Sequence, residues 1–248
     1  MIYTANIKAE YHDCDVLGRL KISSAMLFMQ QAAGEQLEYL GFSPELLLRE
    51  NLVFMLTKTC IKIHRMPCAG DNLAIKTAPT AVKGVRFTRE FQFASESGGK
   101  LLSALTLWVL VNTVSRKILR PASFPYDLSL EPSFAGDDIG DVAMPKITAE
   151  PAETGSVDIR YSHLDINRHV GNAVYADFIC DALPYEPLLV RGVCTVAINF
   201  QHEAKYGEML KIKRYDLDNQ AGEYYICGKS GADTAHFESF VKLGAIRG

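Results

Sequence analysis

The sequence contains one pattern twice, and this repeat limits what the chain can fold into. The spacing Tyr11-x-x-x-Asp15 recurs 150 residues later as Tyr161-x-x-x-Asp165. Further along, Ile61-x-Ile63…Gly70-Asp71 recurs as Ile198-x-Phe200…Gly207-Glu208, at an offset of 137 residues. The second copy is therefore shorter by 13 residues between its helix and its first long strand. Duplication of one structural unit is the simplest source of this shared order and spacing.

Each copy has the pattern of a helix followed by several strands. Residues 2–9 alternate apolar and polar positions, as a strand does. After Ser23 and Ser24, apolar residues are spaced three and four apart up to Leu40, so we predict a buried helix that stops at Gly41. Glycine-containing turns separate the other segments, which we predict as strands at 53–64, 72–80, 85–94 and 101–112, and again at 189–202, 208–216, 222–229 and 235–243. The predicted fold class is α+β with antiparallel sheets.

The stretch between the two copies has the composition of a connection. Residues 127–153 contain several Pro, Gly and acidic residues without a sustained apolar period. We therefore predict a first unit at 1–130, a linker at 131–153 and a second unit at 154–248.

Composition and charge favour a globular cytoplasmic protein. The chain has 248 residues, 48% of them hydrophobic, which is enough for a sizeable core. Its net charge of −3 and pI near 6.1 argue against a nucleic-acid partner. No apolar run reaches the roughly 20 residues of a membrane span, and the first residues lack the pattern of a signal peptide. The six cysteines include no CxxC pair, so we predict free thiols rather than a metal site.

Three polar side chains occupy alternate positions just before the second predicted helix. In an extended segment Asp165, Asn167 and His169 would project to one side, while Ile166 and Val170 would anchor the segment in apolar surroundings. The next two residues, Gly171 and Asn172, are of the kind that starts a helix. The first backbone N–H groups of a helix lack internal partners and can hold an anion.

The two copies differ at these polar positions. Asn167 and His169 correspond to Leu17 and Arg19 in the first copy. Glu203 corresponds to Met66. A residue needed only to build the unit should occur in both copies, so the polar set of the second copy is the candidate active site.

These motifs resemble those of the acyl-acyl-carrier-protein thioesterases of plants and bacteria, over nearly the whole chain. The motifs are Asp165-x-Asn167-x-His169-Val170-x-Asn172 with Tyr175, Asn199-Phe-Gln-His-Glu203, Arg65-x-Pro67-x-x-Gly70-Asp71, Trp108-Val109, and Arg116-Lys117…Arg120-Pro121. The resemblance implies a double hot-dog fold, with two antiparallel sheets each wrapped around a long helix, and an acyl-chain pocket in the first unit. It also implies a catalytic set of Asp165, Asn167, His169 and Glu203, with Glu203 on the first long strand of the second unit. Members of the family often carry a cysteine after that glutamate, and Ala204 stands there instead, which favours attack by water over a cysteine nucleophile.

The residue types suit thioester hydrolysis. Glu203 is our candidate base for the attacking water, and the backbone N–H groups of Gly171 and Asn172 are candidate oxyanion donors. Asn167 would hold the water or the carbonyl group. His169 would orient Asn167 or protonate the leaving thiolate, and Asp165 would fix the loop or the histidine tautomer.

The expected substrate is a fatty acyl-acyl-carrier-protein. Because the carrier is acidic, exposed basic residues are the candidate docking groups, namely Lys83, Arg86, Arg89, Arg116, Lys117 and Arg120. No metal or organic cofactor is implied, and neither a nucleic-acid nor a membrane partner is expected. A monomer and a homodimer of tandem chains both stay open. The alternatives are an acyl-CoA thioesterase of the same fold and a non-catalytic acyl-binding module.

The sequence disfavours three other readings of these motifs. The segment from Asp165 lacks the glycine and the glutamate that a calcium loop needs at its sixth and twelfth positions, where Val170 and Ala176 stand. The whole sequence contains no Walker loop or dinucleotide fingerprint, which disfavours a nucleotide-binding protein. It also contains no GxSxG nucleophile elbow, which disfavours a serine hydrolase of the α/β-hydrolase fold.

Overall fold

The structure, a computed structural model, describes residues 1–134, 136, 139–231 and 233–244. Residues 135, 137 and 138 of the predicted linker lie outside the described residues, as do residues 232 and 245–248 of the predicted second unit. No helix in the described part of the chain is long and apolar enough to cross a bilayer.

The elements have the same order in both copies. In the first they are β1 (Tyr3–Lys8), α1 (Ile22–Tyr39), α2 (Pro44–Arg49), β2 (Leu52–Ile63), β3 (Asn72–Lys83), β4 (Arg86–Ser95) and β5 (Lys100–Asn112). In the second they are β6 (Glu153–Asp158), α3 (Asn172–Asp181), α4 (Tyr185–Arg191), β7 (Val193–Phe200), β8 (Met209–Asp218), β9 (Glu223–Ser230) and β10 (Thr234–Leu243).

The ten strands join into one antiparallel sheet. Their order is β1-β3-β4-β5-β2-β7-β10-β9-β8-β6, so the second half repeats the first in reverse. The equivalent strands β2 and β7 meet at the centre, where Lys58 pairs with Asn199 and Lys62 with Thr195. The predicted α+β class is confirmed, but the two predicted sheets are two halves of one continuous sheet.

Helix α1 ends as predicted and starts slightly earlier. Gly41 adopts φ +86°, and the N–H of Phe42 donates to the carbonyl of Leu37 at 2.8 Å, which together form a Schellman cap. The helix begins at Ile22, so Ser23 lies inside its first turn rather than before it. In the second unit α3 has only 10 residues against 18 in α1, so the long helix expected there is short.

The segment before β7 corrects one strand prediction. Residues 189–191, predicted as the start of a strand, belong to α4. The N–H of Leu188 donates to the carbonyl of Pro184, and Gly192 at φ +69° ends the helix. An apolar run of this length suits either a strand or a short helix, and the glycine decides the end point.

The two helices share one core under the sheet. Helix α1 packs against α3, and the fully buried side chains around them come from both units, such as Phe91 and Phe237. Each fully buried large apolar side chain contributes roughly 1.5–3 kcal/mol. On the other face, Ile139 from the connection packs over Cys60 and Ala197 at the junction of β2 and β7. The units are thus held together by backbone pairing and by a common core.

Candidate active site

The segment Asp165–His169 forms a tight turn, and the prediction of an extended segment is wrong. The N–H of Asp165 donates to the carbonyl of His169 at 2.9 Å, and Arg168 adopts φ +65°. The carboxylate of Asp165 closes the turn by accepting from the N–H of Asn167 at 2.8 Å. Ile166 lies at the tip with 96% of its surface exposed, so only Val170, at 5%, anchors the segment.

His169 and Glu203 lie together. His169 Nε2 is 3.1 Å from Glu203 Oε2, and the two side chains are 20% and 30% exposed. The N–H of Val170 donates to the carbonyl of Ala204 at 2.9 Å, and His169 pairs with Lys205 in an isolated β-bridge. This pairing holds the turn beside the loop that carries the glutamate. Because β7 ends at Phe200, Glu203 lies in the loop after the strand, and the expectation that it lies on the strand is wrong.

Asp165 and Asn167 form a separate, more exposed pair. Asn167 Nδ2 lies 3.4 Å from Asp165 Oδ2. Among the described residues, no hydrogen bond connects either side chain to His169 or Glu203. The structure therefore brings together two of the four predicted catalytic side chains, and places the other two on the turn that precedes them.

Only one of the two predicted oxyanion donors is available. Gly171 is the N-cap of α3, but its N–H donates to the carbonyl of His163 at 3.0 Å, so Gly171 as an oxyanion donor is a prediction that the structure contradicts. The carbonyl of His163 lies across the turn, which local sequence could not show. Asn172 is the first residue of α3, and its N–H has no hydrogen-bond partner in the described part of the chain.

Tyr175 of α3 is a buried aromatic residue next to the candidate site. It is 3% exposed, and its ring packs against those of Phe200 and Phe237. Burial raises the pKa of its hydroxyl to about 12, and the carboxylates of Glu208, Glu203 and Asp165 add to the effect in that order. The phenol is therefore neutral in the folded protein near neutral pH, and the site is apolar on the side of α3.

One contact to Glu203 comes from the first unit and was missed. Arg116 Nη2 is 3.3 Å from Glu203 Oε2, the same oxygen that His169 approaches. The two residues are 87 positions apart. No local pattern could signal this contact; the sequence marked Arg116 only as part of a family motif and as one of several candidate docking cations.

One of the predicted docking residues, Arg89, is buried. Arg89 is 7% exposed and donates to the side chains of Gln36 and Thr77. Burial lowers the pKa of its guanidinium to about 10. The prediction that Arg89 meets a partner is wrong, because β4 alternates sides and turns this residue toward α1.

Two cavities lie away from the His169–Glu203 pair. The larger, of about 470 Å³, lies beside Arg19 and Met66, the first-unit counterparts of His169 and Glu203, and is lined on its other side by α3 and α4. The smaller, of about 60 Å³, lies in the first unit between α1 and the sheet, beneath Phe54 and Trp108. In the described part of the chain, no three His, Cys, Asp or Glu side chains are placed to hold a metal ion.

The fold and the single polar set define a class of protein, a tandem hot-dog chain with one candidate active site. The acyl-ACP thioesterase N-terminal domain model matches residues 1–123, and the C-terminal domain model matches residues 148–239. The chain therefore belongs to the acyl-ACP thioesterase family, as the motifs predicted.

Curated relatives resemble this chain in sequence, and solved structures share its fold. The chloroplastic palmitoyl-acyl carrier protein thioesterase of Cuphea hookeriana is 23% identical over 221 residues, covering 82% of this chain and 52% of that protein. An acyl-ACP thioesterase structure from Bacteroides thetaiotaomicron matches with a TM-score of 0.87 at 22% identity, covering 98% and 97% of the two chains. The 12:0-ACP thioesterase of Umbellularia californica matches with a TM-score of 0.80 at 16% identity, covering 97% and 96%. The chain spans about half the length of the curated relatives it matches.

Proposed function

We propose that this chain hydrolyses fatty acyl-acyl-carrier-protein to free fatty acid and carrier protein in fatty acid biosynthesis. One observation carries the proposal, namely the contact of 3.1 Å between His169 and Glu203 in the second unit. The first unit builds the same turn with Arg19 and Met66 at these positions. The pair is thus not needed for the fold. The similarity to the palmitoyl-acyl carrier protein thioesterase of Cuphea hookeriana supports the choice of substrate.

In the proposed first step, water attacks the thioester. Glu203 takes a proton from the water, whose oxygen bonds to the thioester carbonyl carbon, and the carbonyl oxygen becomes an oxyanion. The N–H of Asn172 donates to that oxyanion, and loss of one such donor typically costs roughly 10²- to 10³-fold in rate. Asn167 would hold the water or the carbonyl group, from the exposed side of the turn.

In the proposed second step, the carbon–sulfur bond breaks. The proton that Glu203 took from water passes to His169 across their 3.1 Å contact. The imidazolium so formed gives a proton to the sulfur as the oxyanion reforms the carbonyl and the sulfur leaves. Both residues then return to their starting states, and the products are the fatty acid and the carrier thiol. In this scheme Asp165 fixes the turn and touches no reacting atom.

We further propose a division of labour between the two units, with the acyl chain in 1–130 and the chemistry in 154–248. The cavity beneath Phe54 and Trp108 supports this, because it is lined mostly by apolar side chains of the first unit. At about 60 Å³ it is well below the roughly 300–1,000 Å³ of a ligand pocket, so entry of a fatty chain would require it to widen. In the second unit, Tyr175 and Phe237 fill the space beside α3.

The carrier would dock on exposed cations of the first unit. Lys83 and Arg86 end the β3–β4 hairpin, and Lys117 and Arg120 come after β5; all four are exposed. An acidic partner meeting such a surface associates faster at low salt. The cytoplasmic location stays a prediction, and fractionation of cells that express the full protein measures it.

Fatty acid release from matched acyl-carrier-protein and acyl-CoA thioesters tests the proposal. We expect turnover of the carrier-protein substrates, and a loss of about 10²- to 10⁴-fold in Glu203→Gln and His169→Ala. The matched controls are Glu96→Gln and His12→Ala, which alter an exposed carboxylate and an exposed imidazole outside the site. Faster turnover of acyl-CoA would point to the alternative thioesterase, and tight acyl binding without turnover would point to a binding module.

A further inference from the structure

Glu203 is held from both units at once. Its Oε2 atom lies 3.1 Å from His169 Nε2 of the second unit and 3.3 Å from Arg116 Nη2 of the first. Among the described residues no other side chain makes an ion pair with this carboxylate. Glu203 is 30% exposed, whereas Arg116 is 70% exposed, so the guanidinium approaches from the solvent side.

The first unit builds a specific turn to bring Arg116 to this place. The side chain of Asn112, the last residue of β5, accepts from the N–H groups of Val114 and Ser115, at 3.2 and 2.8 Å. The N–H of Arg116 donates to the carbonyl of Asn112 at 2.9 Å, and the N–H of Thr113 donates to the carbonyl of Asn51. The turn is therefore fastened to β5 and to the loop before β2.

The backbone at Arg116 is in a conformation that a non-glycine residue rarely adopts. Its φ is +58°, in the left-handed region, where the Cβ atom crowds the following carbonyl oxygen. A glycine would fit this position with less strain but would carry no guanidinium. The strained residue is also the one that contacts Glu203, which links the turn to the site rather than to folding alone.

We propose that Arg116 is a positioning residue of the reaction, so that the active site is assembled from both units. The guanidinium fixes the carboxylate of Glu203 in the rotamer that faces the attacking water, while His169 holds the same oxygen from the other side. This inference rests on the proposed function, in which Glu203 is the base. It gives Arg116 a role different from that of the docking cations Lys117 and Arg120.

A comparison of kcat and KM separates the two roles. In Arg116→Ala we expect kcat to fall about tenfold on both an acyl-carrier-protein and an acyl-CoA of the same chain length, with KM nearly unchanged. Arg116→Lys should restore part of the loss, because an ammonium can still reach the carboxylate. Arg49→Ala and Lys76→Ala alter exposed cations outside the site and the proposed docking surface; they are the controls, and they should leave kcat unchanged.

A double-mutant cycle with Glu203→Gln ties the effect to the carboxylate. In that background Arg116→Ala should cause no further loss of kcat, because there is no carboxylate left to position. A rise in KM for the carrier-protein substrate alone would overturn the inference in favour of docking, and so would an equal loss of kcat in both backgrounds. Thermal melting of each variant shows whether a loss of activity reflects unfolding, and Arg116→Gln serves as a second variant if Arg116→Ala does not fold.

The outcomes also separate this inference from the proposed function. If Glu203→Gln is fully active, the base is elsewhere and the proposed function fails in its mechanism. If Glu203→Gln is inactive while Arg116→Ala behaves as wild type, only the positioning role of Arg116 is overturned.

Discussion

The turn at Asp15–Arg19 and the turn at Asp165–His169 have the same backbone and different side-chain chemistry. In both, the aspartate N–H donates to the carbonyl four residues later, at 2.7 and 2.9 Å, and the aspartate carboxylate accepts from the second residue after it at 2.8 Å. The third residue after each aspartate is left-handed, Gly18 at φ +73° and Arg168 at φ +65°. The fold requires this turn twice.

The residues that end the two turns have different partners. Arg19 pairs with Asp15 at 2.8 Å and donates to the carbonyls of Leu188 and Leu189 near the end of α4, so it ties the two units together. His169 instead meets Glu203. In the first unit this position stabilises the structure, whereas in the second unit its side chain lies in the candidate active site. Asp165 is thus explained by the fold, whereas His169 and Glu203 are not.

The largest expected effect comes from giving the second unit the residues of the first. The double variant His169→Arg/Glu203→Met should lose at least about 10³-fold in kcat/KM, because it removes the proposed base and its partner together. It should still fold, since Arg19 and Met66 occupy these positions in the first unit. Fatty acid release and a thermal melt measure the two properties. Retained activity would show that the difference between the copies is not the source of catalysis.

The second-largest effect concerns a pair of core positions at which the phenylalanine lies on one strand in the first unit and on the neighbouring strand in the second. Phe93 on β4 pairs with Leu102 on β5, and its counterpart Gly228 on β9 pairs with Phe237 on β10. A Cβ atom at Gly228 would lie 2.3 Å from the Phe237 ring, which is fully buried. Gly228→Ala should therefore lower the free energy of unfolding by about 2–3 kcal/mol.

The companion variant sharpens this prediction. Gly228→Phe/Phe237→Leu reproduces the first-unit arrangement and should be more stable than Gly228→Phe alone, as measured by chemical denaturation. If Gly228→Ala is as stable as the wild type, the Phe237 ring does not require a glycine at position 228.

The aspartates of the two turns should differ in how much stability they supply. Asp15→Ala should cost about 2 kcal/mol, because it also leaves Arg19, whose side chain is only 17% exposed, without its carboxylate. Asp165→Ala should cost about 1 kcal/mol, since its contacts are exposed. Urea denaturation of both variants gives the comparison, with Asp158→Ala as an exposed control. Equal losses would show that Arg19 adds nothing to the first turn.

The sequence predicted most of the frame, since periodicity and turn residues are local. Gly41 ends α1, and β2 lies at Leu52–Ile63 against a prediction of 53–64. The prediction failed where one apolar pattern suits both a strand and a short helix, as for residues 189–191, which are helical. The internal comparison also singled out His169 and Glu203, which the structure places side by side.

The parts that were not predicted depend on the path of the chain in space and not on the order of its residues. Ile166 was expected to anchor the turn, yet it is exposed, because the Asx turn of Asp165 reverses the chain there. The N–H of Gly171 is occupied by the carbonyl of His163, and Arg116 reaches Glu203 only after both units have folded. Alternation of polar residues gives their order but not the path of the chain between them.

The smallest effect isolates the backbone of the two turns. Gly18→Ala should lower the free energy of unfolding by about 1 kcal/mol, because any Cβ atom at φ +73° crowds the following carbonyl, even though nothing else lies within 4 Å of it. Arg168→Gly should have the opposite sign and raise it by a few tenths of a kcal/mol, because relief of left-handed strain exceeds the added entropy of the unfolded chain only slightly.

Urea denaturation measures both changes, and kcat should stay within about twofold of wild type in Arg168→Gly, since its side chain takes no part in the proposed reaction. A clear loss of stability in Arg168→Gly would mean that the arginine side chain holds the second turn in a way that the first does not need. That result would show that the two turns, although they share one backbone conformation, are stabilised by different side chains.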